Sequence, residues 1–397
     1  MSSKMSISAI ICEFNPLHMG HKMIVEKANS VSDAVICVMS GNFVQRGEPA
    51  ILDKWTRSKL ALLCGADLVI ELPLPWATGG AEKFSTGAVH IINSLGCVDK
   101  LIFGSENKDI SLLKKCAETL LSEEFKPQVK SALSEAGVPF AKARENAICT
   151  LLGESFRKVM RSPNCILAIE YIKALIKEQS KIEPVAVKRS GADHDKVGKG
   201  NELRSAGEIR KMLLQNKNAS KFLPACTVEE INKLTKLGHF PADFEKLELP
   251  ILCKLRTMSL TDFSKLPDIS EGIENNLYNA VQKARSLNEI YTLVKSKRYS
   301  HARIRRLILS AFLEIENTVP TTPSYIRILG MSKKGDKVLR NLQPALPLVV
   351  RYSDFKKLAQ DSQRLFELEV TADDIYALSL PTPLPCGEDF TRKLIKM

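Results

Sequence analysis

Ala9-Ile10-Ile11-Cys12-Glu13-Phe14-Asn15-Pro16-Leu17-His18-Met19-Gly20-His21 is the stretch on which the reading of this chain turns. Ile7, Ala9, Ile10 and Ile11 form an apolar run of the kind that makes a buried strand. Glu13, Asn15 and Pro16 make a polar turn. Ile24, Val25 and Ala28 then recur at helical spacing. The order is strand, tight loop, helix, with His18 and His21 at the helix mouth. The first N–H groups of a helix have no internal partners and carry partial positive charge. Gly20 allows the backbone to come close where a side chain would block it. Such a helix mouth is a phosphate site, and two imidazoles add donors that change charge near pH 7.

Working outward, Ala34–Met39 is a near-continuous apolar run, as expected of a strand covered on both faces. It ends in Ser40-Gly41-Asn42, and a long loop follows. Asp53 caps a helix to Cys64, closed by Gly65. Asp67–Leu72 is a third strand, Ala81–Leu95 a helix and Lys100–Phe103 a fourth strand, ending in Gly104-Ser105-Glu106. Ser162 and Pro163 open a helix over Ile166–Lys177. Glu183–Lys188 is a fifth strand, running into Arg189 and a polar loop. Alternating strands and helices predict an α/β fold with a Rossmann-like, doubly wound parallel sheet, which binds ligands at the carboxyl ends of its strands. The motifs fall at those ends. From about Asn216 helical patterns dominate, apart from short stretches such as Leu346–Val350. The division expected is a catalytic domain over 1–215 and a mainly α-helical, basic domain over 216–397.

The chain has 397 residues, 44% of them hydrophobic and 26% charged, enough for two or three domains with ample cores. A net charge of +12 favours a polyanionic partner, nucleic acid above all. Ten cysteines include no Cys-x-x-Cys pair, and most sit in apolar runs. This argues against a disulfide framework and against zinc. No signal peptide and no membrane-length apolar run is found, so a cytoplasmic setting is expected.

His-x-Gly-His after the first strand, with Ser205-Ala206-Gly207-Glu208-Ile209-Arg210 after the last, is the signature of the nucleotidyltransferase superfamily. Its chemistry needs positioning and charge stabilisation more than covalent help. His18 and His21 would donate to a triphosphate, and Ser205, Arg210 and their helix would grip its far end. The combination of Glu13–His21, Ser40–Ala50, Gly65–Pro73, Phe103–Glu106, Ser162–Tyr171 and Lys188–Asp195 resembles the tRNA(Met) cytidine acetate ligase family. The resemblance is specific through Met5–Arg210 and more diffuse beyond, notably over Lys297–Arg306 and Ser324–Met331.

The resemblance implies an enzyme that activates acetate with ATP to acetyl-adenylate. The acetyl group then passes to N4 of the wobble cytidine of elongator tRNA(Met). It implies an ATP loop over Ile11–Ile24, that is Ile11, Cys12, Glu13, Phe14, Asn15, Pro16, Leu17, His18, Met19, Gly20, His21 and Ile24. It also implies Gly104 against the nucleotide, with Asn164 and Arg189 contacting ATP. Two departures stand out. The family usually has Tyr before His-Asp, where Asp193 precedes His194-Asp195 here. It often reads Ser-Ala-Thr-Ala-Ile-Arg, where Gly207-Glu208 here puts a carboxylate of open orientation beside the phosphate grip. Mg²⁺ is expected with the phosphates, although no residue can be named as its ligand.

Arg46, Lys54, Trp55 and Arg57 are candidates to receive acetate or the tRNA anticodon, since Arg suits anions and Trp stacks on splayed bases. The alternative is a salt-bridged lid with Trp55 in the core. Lys297, Arg298, Arg303, Arg305 and Arg306 lie in the densest basic run and are candidates for tRNA phosphates. Met331-Ser332-Lys333-Lys334-Gly335 superficially matches the Lys-Met-Ser-Lys-Ser loop of synthetases. It is read as a decoy that lies in the helical half, far from the last sheet strand. Two other readings stand: a small-molecule adenylyltransferase, which would not need a basic helical half, and a non-catalytic RNA-binding protein, against which the intact histidines argue. The sequence leaves the oligomeric state open.

Overall fold

A computed structural model describes residues 5–134, 138–188, 204–296 and 299–397. Its strands are β1 (Ile7–Cys12), β2 (Ala34–Ser40), β3 (Phe43–Val44), β4 (Glu48–Pro49), β5 (Leu68–Leu72), β6 (Lys100–Ser105), β7 (Glu183–Lys188), β8 (Ile326–Met331), β9 (Leu348–Val349) and β10 (Ile395–Lys396). The main sheet runs β10-β8-β5-β2-β1-β6-β7, with β9 on β8, while β3 and β4 form a separate hairpin. From β1 the chain winds outward through β2 and β5, then returns to β1's other side with β6 and continues to β7. β1 and β6 therefore flank the reversal of strand order, where open α/β sheets hold their ligands.

Period-two alternation explains why the central strands are apolar throughout. Ile7, Ala9, Ile11, Ile36, Val38 and Ile70 face one helical layer. Ile10, Cys12, Val35, Cys37, Met39 and Val69 face the other. The parallel core is in the expected order, with β1 pairing β2 from Ile7–Ala34 to Cys12–Met39.

Beyond residue 216 the chain is mainly helical, and the Glu248–Thr257, Ile273–Lys283, Leu287–Val294 and His301–Phe312 helices share a core of their own. Yet β8, β9 and β10 come from this half and extend the sheet past β5. β8 is antiparallel to β5, with a register shift between Val69 and Ile70. Met331 thus ends a sheet strand directly, which corrects the sequence-based reason for setting Met331–Gly335 aside. Because β8 is antiparallel, Met331 pairs with Leu68 at the amino end of β5. The segment lies at the sheet edge opposite His18, so it is still remote from the site. Among the described residues no helix is long and apolar enough to cross a membrane, and the cysteines are unbridged.

Candidate active site

β1 delivers the chain to Glu13, and the loop beyond it is tightly held. Phe14 adopts φ 47° although it is not glycine, and it is buried. A bulky residue in the left-handed region is strained, and such strain collects at functional sites. The Asn15–Pro16 bond is cis. Asn15 Oδ1 accepts from the Ile51 N–H at 2.8 Å, and Glu13 Oε1 accepts from the Gln45 N–H at 2.9 Å.

His18 is the N-cap of the Met19–Asn29 helix. Its Nδ1 accepts from the N–H groups of Gly20 at 3.0 Å and His21 at 3.4 Å. An accepting Nδ1 fixes the neutral tautomer with its proton on Nε2. The two imidazoles are stacked, with centroids 3.8 Å apart and planes 19° apart, and Phe14 meets His21 edge-on at 5.2 Å. A Cβ at position 20 would lie 2.9 Å from His18 Cε1. The glycine therefore makes room for the capping ring.

On the far side of the reversal, Gly104 pairs with Val187 inside the sheet. Glu106 reaches the first turn of the Pro163–Lys177 helix. It accepts from Asn164 Nδ2 at 2.7 Å, the Asn164 N–H at 3.3 Å and the Cys165 N–H at 2.9 Å. Burial raises the Glu106 pKa, but these donors outweigh it and the net shift is downward. Ser162 was expected to cap this helix. Its Oγ instead donates to the Lys158 carbonyl, and the cap comes from Glu106 across the crevice.

The Ala206–Leu214 helix packs beside the loop after β1. Ser205 caps it, and Glu208 folds back onto Ser205 N and Oγ at 2.9 and 2.8 Å, which settles the carboxylate's orientation. Arg210, expected at the triphosphate, donates to the Asn15 carbonyl at 2.8 Å and to Glu48 at 2.7 Å. It braces the loop before His18. Arg46 is exposed, and Gly207 lies beside it. Arg189 and the Asp193-His194-Asp195 run lie outside the described residues, as do Lys297 and Arg298.

Three sequence candidates are corrected by burial. Arg57 is fully buried and donates to the carbonyls of Leu52 at 2.8 Å, Glu13 at 2.7 Å, Ser40 at 3.0 Å and Gly41. It staples the loop after β1 to the loop after β2. Lys54 is equally buried, with Nζ 2.8 Å from Glu71, 2.5 Å from Asp373 and 2.9 Å from Asp389. Trp55 is packed beneath Lys54 and Arg327. None of the three offers a face to RNA or to a carboxylate substrate, and Trp55 sits in the core as the alternative expected. Among the basic run, Arg303 donates to the Asp268 carbonyl and Ser270 Oγ, both at 2.6 Å. Arg305 is exposed, 3.9 Å from Glu48. Arg306 is half-buried.

Sequence reasoning missed Glu48, the anchor between Arg210 and Arg305, and the buried cluster of Lys54, Glu71, Arg327, Glu369, Asp373 and Asp389. The signal for the cluster was present, since Glu71 and Arg327 each interrupt an apolar strand. Burial raises the Glu369 pKa to about 8, reinforced by the neighbouring Glu71. Burial also penalises ionised Asp389, but Lys54 and Arg327 outweigh this and hold its pKa well below the usual range.

Among the described residues no group of three or more acidic, His or Cys side chains could hold a metal ion. What the geometry offers is a crevice at the strand reversal, two stacked imidazoles and two helix mouths.

Residues 5–387 match the family described as HIGH Nucleotidyl Transferase. The chain is 38% identical to the tRNA(Met) cytidine acetate ligase of Thermoanaerobacter sp. (strain X514), covering 99% of this chain and 100% of that one. It is likewise 38% identical to a Clostridium perfringens protein of the same name, over 95% and 96% of the two. Among solved structures, Thermotoga maritima TmcAL in its apo form superposes with a TM-score of 0.91 at 31% identity, over 99% of this chain and 100% of that one. The same protein bound with alpha-thio ATP gives 0.90 at 29% identity, with the same coverage.

Proposed function

This chain belongs to the HIGH nucleotidyl transferase family and, within it, to the tRNA(Met) cytidine acetate ligases, and on that premise we propose how its residues carry the reaction. An acetate oxygen attacks the α-phosphorus of ATP, the bond to the bridging oxygen breaks, and pyrophosphate leaves. The N4 amine of the wobble cytidine of elongator tRNA(Met) then attacks the acetyl carbon. AMP departs and the amine loses a proton, leaving N4-acetylcytidine.

The observation that carries this reading is the paired imidazoles on the Met19–Asn29 helix mouth at the strand reversal, in a fold whose Thermotoga relative is bound with alpha-thio ATP. His18, neutral and protonated on Nε2, donates to the triphosphate alongside His21. A well-placed donor to developing charge is worth about 3 kcal/mol, or roughly a hundredfold in rate. Arg210 and Arg57 hold the loop that aims these rings. Mg²⁺ would be carried by the triphosphate oxygens and would neutralise part of their charge. Residues 1–215 supply the adenylation chemistry and 216–397 most of the RNA contacts, with Arg46 of the first part and Arg305 of the second both exposed. The setting is the cytoplasm, where free thiols persist and tRNA is found.

The test is incubation with ATP, radiolabelled acetate and unmodified tRNA(Met). Label in the tRNA is the expected result. Adenylation of a small acceptor without labelled tRNA would point to a small-molecule adenylyltransferase. RNA binding with no turnover would leave a non-catalytic RNA-binding protein.

A further inference from the structure

A cavity of about 230 Å³ lies apart from the crevice, between the start of the Ala81–Ser94 helix and the His301–Phe312 helix. Thr78, Gly79 and Lys83 line one wall, Arg303 and Arg306 another, and Asp268 a third. Three cations face one carboxylate. Arg303 is already engaged by the Asp268 carbonyl and Ser270, and lies over the Tyr299 ring. Lys83 and Arg306 are different. Neither is ion-paired with a carboxylate among the described residues. The buried Arg306 Nε has no hydrogen-bond partner there. Burial lowers the pKa of both, with Asp268 pulling the other way. Three cations share the single Asp268 carboxylate, and desolvated positive charge in excess is costly unless an anion arrives.

The backbone is shaped to the same end. A Cβ at Gly79 would lie 2.9 Å from Lys83 Cβ, and one at Gly80 would lie 3.8 Å from Arg306 Nη2. Gly79 leaves room for the base of the Lys83 side chain, and Gly80 lies in ordinary contact with the Arg306 guanidinium. The Ala81–Ser94 helix begins at Gly80 with no side-chain cap, so its positive end adds to the same field. Guanidinium, ammonium and helix mouth together suit a tetrahedral oxyanion.

The cavity also has a direction. A Cβ at Gly47 would lie 2.9 Å from the backbone of Arg305 and of Arg306, so the β3–β4 hairpin rests on this turn of helix. Arg305 turns toward Glu48 and the nucleotide crevice, while Arg306 turns into the cavity. We propose that the Lys83–Arg306 cavity seats one backbone phosphate of the RNA acceptor, fixing the strand on one side of the helix while its reactive base reaches the crevice on the other. This rests on the RNA-acceptor reading given above.

The experiment compares the wild-type chain with the Lys83→Ala, Arg306→Ala double variant and the charge-conserving Lys83→Arg, Arg306→Lys pair. Unmodified tRNA(Met) binding is measured across a salt series, and thermal stability is measured with and without inorganic phosphate. The double alanine variant is expected to weaken tRNA binding about tenfold and to flatten the log–log salt slope by one to two units. The charge-conserving pair should retain both. Unchanged affinity and slope in the alanine variant would overturn the proposal. So would loss of binding in the charge-conserving pair, which would make the two residues structural. A third overturning result is phosphate stabilising the wild type but not the alanine variant while tRNA binding is equal in both; the pocket would then serve free phosphate. Acetate-dependent pyrophosphate release by the wild type without RNA tests the adenylation reading separately. Wild type that releases pyrophosphate yet binds no tRNA would fail the acceptor reading, and this proposal with it.

Discussion

His18 uses its two ring nitrogens differently. Nδ1 holds the helix start, and Nε2–H is the donor that the proposed reaction assigns to phosphate. The two roles separate by substitution. His18→Asn preserves a capping oxygen and should keep stability within about 0.5 kcal/mol, yet lower acetyl-adenylate formation roughly a hundredfold. Equal loss of stability and rate would reduce His18 to a cap. His21→Ala should abolish acetyl-adenylate formation while tRNA binding, followed by filter retention, persists. These residues were legible in the sequence because strand, turn and helix mouth are local. Lys54, Trp55 and Arg57 were not, because their partners are remote. Lys54 meets Asp389 across 335 positions, and no local pattern tells a buried cation from an exposed one.

Among the elements, the loops after β1 and β2 form one unit because a single guanidinium binds both. Arg57→Met leaves buried carbonyls without donors and should cost about 3 kcal/mol or more in urea unfolding. It should raise the KM for ATP more than it lowers kcat, since the loop, and not the reacting atoms, is disturbed. A kcat loss with unchanged KM would contradict this. The parallel strands could be read from their apolar runs, for Ala34–Ser40 is buried at every position. β8 could not, because Arg327 and Gly330 interrupt its run and its partner strand β5 lies more than 250 residues earlier. β3 and β4 are two residues each, below the length at which alternation carries a signal.

For the molecule as a whole, the buried charge cluster ties the sheet to the C-terminal helices, and it sets a pH dependence. Glu369 has its pKa pushed up to about 8 by burial and by Glu71. Below the ordinary carboxyl range both folded and unfolded chains hold this proton. From there up to about pH 8 the unfolded chain has released it and the folded one has not, so stability falls as pH rises. Glu369→Gln removes the ionisation while keeping an acceptor for the Leu74 N–H. The variant's melting temperature should gain on wild type from pH 6 to about pH 8 and level off above it. A constant gap would show that Glu369 does not titrate there. Beyond residue 216 the chain is mainly helical, but the return of β8–β10 to the sheet depends on pairings that sequence alone does not encode locally.

The pairing of Lys54 with Asp373 and Asp389 also bears on how the protein is made. A ribosome adding roughly 5–20 residues per second needs on the order of 20 seconds to a minute between the lysine and its last partner. For most of that interval, from Glu71 to Asp373, the nascent sheet carries an ammonium with two of its three carboxylates still unmade. The late partner is a carboxylate of the C-terminal helices, so a message cut short before Asp373 yields a chain that has the histidines and Arg57 but leaves Lys54 with only Glu71 to neutralise it.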